Sequence, residues 1–344
     1  MDRNKRSRIY LIVLMLAIFA VYTYRKNQPK EVELRGTTMG TIAYNVKYLD
    51  KDQRNFKVQI DSLLKDFNQA LSTYIPNSEI SVFNNEGQVS FSFPYFFEVL
   101  EASKQVYEKT NGAFDPTVGP LIDAWGFGAG GFIGPDTSQV DSLRTYIGFE
   151  KLSFDEQVIS SSKAGIQLNF SAIAKGQAID VVANWLSDQG LDNYMVEIGG
   201  EVRASGKNLQ NDLWTIGIEV PNERRIGEVF DAIYLENQGM ATSGNYRNFK
   251  VLEDGRKVAH TIDPRTGFPK MQTLLSATVL APNCMLADAY ATACMVLGKE
   301  ASIALINSDP TLECYLIFAN EDGSMDTYLS PGLKGKTYNA ENAD

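Results

Sequence analysis

The chain has 344 residues, of which 44% are hydrophobic, 22% charged and 11% aromatic, and this composition excludes a wholly disordered, collagen-like or multi-span membrane protein. Its single histidine, His260, excludes any metal site built on two or three imidazoles of one chain, so a metal here rests on carboxylates, hydroxyls and carbonyls, which favours Mg2+ or Ca2+. The net charge of −10 is uneven: residues 1–30 hold seven of the 32 basic residues and one of the 42 acids, leaving a body near −16 that would repel a phosphate backbone and argues against nucleic acid as a partner.

In chain order, a basic segment over residues 1–8 precedes an uncharged run over 9–24, which Arg25 and Lys26 close. The run is short for a bilayer span of ~20 residues and long for a signal-peptide core of ~7–15. No small-residue cleavage site stands out and no cysteine follows for lipid attachment, so the expectation is an uncleaved signal anchor rather than a cleaved signal peptide or a buried helix. Positive charge on the inner side then keeps residues 1–8 cytoplasmic and places the rest on the periplasmic, exported side of the inner membrane. A polar linker over 25–34 leads to a body over 35–335 and a tail over 336–344.

Within the body, alternation from Met39 onward predicts a strand, and apolar spacing predicts helices over Val58–Leu71 and Phe96–Lys109, the second stopped by Asn111-Gly112. A glycine-rich loop spans Trp125–Gly134. Strands are expected near Val158–Ser160 and Ile166–Phe170, a helix over Ser171–Leu186, and strands over Tyr194–Ile198, Trp214–Val220 and Met271–Ala281. Helices over Met285–Leu297 and Glu300–Asn307 and a strand over Leu312–Phe318 complete the pattern. The order lacks a regular βαβ rhythm and implies a mixed α+β body. Cys284, Cys294 and Cys314 form no CxxC and read as buried small hydrophobes.

Two glycine motifs carry no weight. Gly126, Gly128 and Gly131 fit GxGxxG without a strand before or a helix after, and Gly335-Lys336-Thr337 lacks the earlier glycine of a phosphate loop. More informative are polar residues in small-residue surroundings. In NFSAIAKGQAID, Lys175 sits on the first turns of a helix, where free N–H groups and an ammonium suit a phosphate, although a surface lysine is the plainer reading. In LADAYATACMVLG, Asp288 and Thr292 share one helix face and could offer two hard oxygens to Mg2+, although a cap and a back-bonded threonine would look the same. His260 lies in HTIDPRTGFP, a tight-turn sequence.

Taken together, MGT at 39–41, LSTY at 71–74, GAFDPTVGPLIDAWGFG at 112–128, SAIAKGQAID at 171–180, EIGGEVRASG at 197–206, ATSGNYRNF at 241–249, HTIDPRTGFP and LADAYATACMVLG resemble, in order and spacing, the ApbE family of FAD:protein FMN transferases. The resemblance covers roughly residues 34–320 and implies a body related to tunnelling-fold domains, with FAD as substrate beside Mg2+. It implies that Met39, Tyr74, Ala113, Phe114, Asp115, Lys175, Asp180, His260 and Ile262 line the FAD site. It also implies that Asp288, Thr292 and the carbonyl of Ala172 bind the metal. The family often has Asp-Leu-Gly-Gly or Asp-Leu-Gly-Ala where this chain has Asn169-Phe170-Ser171-Ala172, and it is often lipidated at a cysteine that this chain lacks.

The chemistry so implied moves FMN from FAD to a threonine or serine hydroxyl of a target protein and releases AMP. Lys175 would supply fixed positive charge at the pyrophosphate. His260 and Asp288 both qualify as general base by type, and His260 is preferred because its ordinary pKa lies near neutrality and a metal-bound Asp288 has its lone pairs committed. The implied acceptor is a subunit of a membrane redox complex or an exported FMN-binding domain. A Mg2+-dependent FAD pyrophosphatase and a non-catalytic exported FAD-binding protein are the alternatives.

Overall fold

The computed structural model describes residues 3–26, 28–128, 134, 136–222, 225, 227–245, 249–251, 257–270 and 273–338. An eight-stranded sheet organises them: β1 (Lys30–Thr38), β2 (Ile42–Asp50), β3 (Tyr194–Ile198), β4 (Glu201–Ser205), β5 (Gln238–Gly244), β6 (Leu274–Ala281), β7 (Glu313–Ala319) and β8 (Met325–Leu329) lie side by side in that order. Every neighbouring pair is antiparallel. The helices are α1 (Arg3–Lys26), α2 (Lys57–Leu71), α3 (Tyr95–Lys109), α4 (Ala174–Asp188), α5 (Cys284–Leu297) and α6 (Lys299–Asn307), with shorter ones between them.

Alternation along the strands splits the core in two. Val46, Val196, Ile198 and Val279 face α2, α4 and α5 in the main apolar cluster. Val202, Ala204, Met240, Leu280 and Ile317 face the other way, under a hairpin of Trp214–Glu219 and Val229–Leu235 whose Ile216, Ile218, Ile233 and Leu235 close a second cluster. A third, smaller cluster joins Leu121, Trp125, Val140 and Ile147 to Ile262, and the Trp125 Nε1–H donates to the Gly267 carbonyl at 3.0 Å.

Helix α5 is central because its residues are small. Ala287, Ala289, Ala291, Ala293 and Cys294 are all buried, so the helix is apolar on nearly every side and packs between the sheet and its helical neighbours. Asn283 caps it, accepting the Leu286 N–H at 2.9 Å, and Gly298 at φ +83° ends it. Helix α4 approaches α5 at Gly176, where a Cβ would stand 2.2 Å from the Cys284 carbonyl oxygen. Only glycine permits this approach.

The predicted helices over α2, α3, α5 and α6 and the strands at β2, β3, β6, β7 and Trp214–Glu219 are present. All three cysteines are buried and free. Strand β1 starts at Lys30, inside the expected linker, because it pairs with β2 along its whole length. Ser171–Ile173 form a turn rather than the start of a helix, since Ile173 at φ −153° is not helical. Ile166–Phe170 is not a strand, and there only Gln167 bridges to Val118. Thr337, buried and bridged to Ile233, carries the body into the expected tail. In the glycine-rich loop, residues 129–133 lie outside the described residues. Among the described residues no helix is long and apolar enough to cross a membrane, so the fold gives the expected anchor no support, although α1 exposes Leu11, Leu14, Leu16 and Phe19.

Candidate functional site

A cavity of about 580 Å³ opens between α4, α5, the β3–β4 turn, the end of β5 and the turns at 113–118 and 260–264. Its size suits a small-molecule ligand. Ala113, Phe114, Asp115, Ala172, Lys175, His260, Ile262, Asp288 and Thr292 all line it. Residues far apart in sequence thus meet around one cavity.

The polar centre lies where α4 meets α5. Lys175 Nζ stands 2.7 Å from Glu201 Oε1 and 3.7 Å from Asp288 Oδ1, while the Gly176 N–H donates to Asp288 Oδ2 at 3.2 Å. Burial works against the Lys175 ammonium, but Asp288 and Glu201 outweigh it and hold its pKa above the ordinary value. Burial and the nearby Asp288 push the Glu201 carboxyl well above the usual range. One turn along α5, Thr292 Oγ1 lies 3.1 Å from Ser243 Oγ. Gly199 and Gly200, at φ +62° and +95°, make the tight β3–β4 turn that delivers Glu201 to this point.

The donors present fit a hard divalent cation. Two acids, Glu201 and Asp288, share one ammonium at the centre of the cluster. Asp288 Oδ2 takes the Gly176 N–H while Oδ1 stays 3.7 Å from the Lys175 ammonium, and Thr292 and Ala172 line the same cavity. Among the described residues no group of three His, Cys, Asp or Glu side chains could cage a metal, so a cation here depends on hydroxyl and carbonyl oxygens and on what the ligand brings.

Asp115 is a buried residue of the cavity lining and accepts hydrogen bonds from the Thr117 N–H and hydroxyl at 2.8 and 2.6 Å, yet burial pushes its carboxyl up to about 6. His260 lines the same cavity, with its ring 6.3 Å from that of Phe127.

Three expected site residues stand elsewhere. Asp180 follows Lys175 by five positions, which on a helix turns it roughly 140° away. Its carboxylate instead accepts the Cys284 and Met285 N–H groups at 3.0 and 2.8 Å and pairs with Arg203 at 2.9 Å, securing the start of α5. Met39, at φ +48°, makes the β1–β2 turn and packs on the main core, while Tyr74 is 75% exposed beyond α2. Neither lines the cavity. Glu201, Ser243 and Asn169 do line it and were not singled out from the sequence. Glu201 lies within the EIGGEVRASG block, and strand register adds the signal that its partner Ile198 is buried and the two share a face.

A partly buried ammonium, two acids and a hydroxyl lining an open cavity suit an anionic ligand. The model of the ApbE family matches residues 38–316, and the chain belongs to that family. It is 37% identical to an FAD:protein FMN transferase of Haemophilus influenzae over 92% of this chain and 94% of the relative. Among solved structures it is similar to a flavin transferase ApbE of Vibrio cholerae, with TM-score 0.80 and 35% identity over 90% of this chain and 99% of that one. It is also similar to the apo flavinyl transferase ApbE of Pseudomonas stutzeri, with TM-score 0.79 and 31% identity over 90% and 97%.

Proposed function

We propose that the chain is an FAD:protein FMN transferase that depends on Mg2+ and attaches FMN through a phosphoester bond to a threonine or serine of a target protein. The observation that carries this reading is the Lys175–Asp288–Thr292 cluster on the cavity wall of a chain belonging to the ApbE family. Lys175 binds the pyrophosphate of FAD and offsets negative charge that builds as the bond to AMP breaks. Asp288, Thr292 and the Ala172 carbonyl would hold the Mg2+, which when bound neutralises phosphate charge and steadies the departing AMP. Phe114, Asp115 and Ile262 hold the nucleotide from the turns at 113–118 and 260–264. The acceptor hydroxyl oxygen forms a bond to the FMN-side phosphorus as the phosphorus–oxygen bond to AMP breaks. AMP leaves with that electron pair, and the hydroxyl proton passes to His260.

The basic residues 1–8 and the uncharged run after them support a body outside the cytoplasmic membrane, close to acceptors in membrane redox complexes or exported FMN-binding domains. A topology reporter fused at the C-terminus tests that placement.

The test of activity incubates the chain with FAD, Mg2+ and a candidate acceptor, such as the FMN-bearing subunit of a sodium-pumping quinone reductase, then looks for flavin fluorescence on the denatured acceptor. Its appearance, with one AMP released per flavin attached and loss on chelation, is the expected result. Free FMN with AMP would replace the reading by a pyrophosphatase, and unchanged FAD would replace it by a binding protein. His260→Ala should lose transfer and its pH profile while still binding FAD. If the rate and profile stay intact, the base is another residue.

A further inference from the structure

The Lys175 ammonium has two carboxylates within reach and has taken one. It stands 2.7 Å from Glu201 Oε1 and 3.7 Å from Asp288 Oδ1, although both acids are almost wholly buried, with side chains 5% and 2% exposed. That 1 Å difference matters because Asp288 Oδ2 already receives the Gly176 N–H, which makes Oδ1 the oxygen left for a cation. Glu201 spends one oxygen on the lysine, while its Oε2 has no hydrogen-bond partner and is buried. A partly buried ammonium gains most from the carboxylate it touches and moves to the next one if the first is removed, because a local dielectric below that of water magnifies small changes in distance.

We propose that Glu201 is a positioning residue that holds Lys175 away from Asp288, so that Asp288 Oδ1 stays open to the divalent cation. This rests on the Mg2+ reading above. Without Glu201, Lys175 has only Asp288 as a neighbouring carboxylate in the cluster and needs to move about 1 Å to form a direct ion pair, given the usual N–O separation near 2.8 Å. The ammonium then sits on the oxygen the metal needs, and binding a cation requires breaking a buried ion pair. Lys175 therefore serves the phosphate from a place that Glu201 fixes.

The experiment measures Mn2+ binding by calorimetry to the full chain without FAD, in the wild type, Glu201→Gln, Glu201→Asp and Lys175→Met/Glu201→Gln, with thermal melting to confirm folding. Loss of an outer-shell partner weakens metal binding about 10–100-fold, and both single variants should show that loss, Glu201→Asp because its shorter arm no longer reaches Lys175. Removing the lysine as well should return affinity to within a few-fold of wild type, since nothing is left to occupy Asp288. A crystal structure of metal-free Glu201→Gln should show the Lys175–Asp288 separation shortened to an ion-pair contact. Wild-type affinity in Glu201→Asp would mean that net charge alone matters, and persistent weakness in the double variant would mean that Glu201 is itself a ligand. Either result overturns the inference while the Mg2+ reading survives. A wild-type chain that binds no Mn2+ defeats both, and is recognised by that.

Discussion

Gly176→Ala sets two effects of opposite sign against each other. In an exposed helix the change from glycine to alanine stabilises by about 1 kcal/mol, through the lower backbone entropy of the unfolded chain. Here the new Cβ would lie 2.2 Å from the Cys284 carbonyl oxygen and 2.7 Å from the Met285 Cα, where ordinary contact begins at 3.4 Å. These are backbone atoms at the start of α5 and cannot rotate aside. The two helices must part by about 1 Å, and overpacking of that kind costs about 1–3 kcal/mol or more. Because the clash is with backbone, the cost lies at the upper end and sterics win, with a net loss of about 2 kcal/mol and a fall in melting temperature of about 4–6 °C. Function suffers more than stability, because the same separation pulls the Gly176 N–H from Asp288 Oδ2 and shifts Lys175 against Asp288. A displacement near 1 Å in a positioned site lowers a rate by about 100-fold. Calorimetric melting and the rate of flavin attachment measure the two consequences. A variant that melts at or above the wild-type temperature and transfers flavin at the wild-type rate would refute the close approach as the basis of the site.

Other consequences follow from the same geometry. Asp180→Ala should destabilise the chain by about 3 kcal/mol in denaturant titration, because it strands two N–H groups of α5 and leaves Arg203 with only the Asn184 amide oxygen, and should leave FAD affinity unchanged in fluorescence titration. Weakened FAD binding at full stability would place Asp180 at the ligand instead. Asp115 keeps its proton in the folded state up to about 6 but loses it near 4 when unfolded, so the folded form binds more protons between those values and the group destabilises the fold as pH rises through that window. The gap amounts to about 3 kcal/mol at neutral pH, and Asp115→Asn should gain on wild type by about that much from pH 4 to pH 7 in pH-dependent melting. Equal pH dependence in the two proteins would contradict the buried, protonated Asp115. Trp125→Phe removes the bond to Gly267 and should lower stability by about 1–2 kcal/mol in urea unfolding, with a smaller effect on FAD binding.

Much of the fold was legible because long amphipathic segments declare themselves. Ile60, Leu64, Phe67 and Leu71 recur at helical spacing and fix α2 whatever surrounds them, and all four are at least 94% buried. The small, apolar run of α5 likewise announces a buried helix. Two of the missed strands carry little β preference: β5 reads QGMATSG and β4 reads EVRAS, and each becomes a strand because its neighbours offer a ladder, whereas Val229–Leu235, VFDAIYL, is rich in β-formers and was missed all the same. For the site, Lys175, Asp288, Thr292 and His260 could be named from local motifs, and the structure gathers them around one cavity.

What the sequence alone determined is the chemistry available to this protein: one imidazole, an ammonium at the start of a helix, and a carboxylate and hydroxyl one turn apart on another. Those follow from residue identity and helical period, which need no partner. Only the tertiary structure decided which groups meet. Asp180 and Lys175 share a helix, yet one secures α5 and the other faces the cavity, because five residues turn a helix past its own face. Glu201 enters the site through an antiparallel register and a two-glycine turn, and Gly176 is a contact surface only because Cys284 lies against it. Pairing between distant strands and the distance between two helices depend on how the whole body packs, and no local window of sequence contains them.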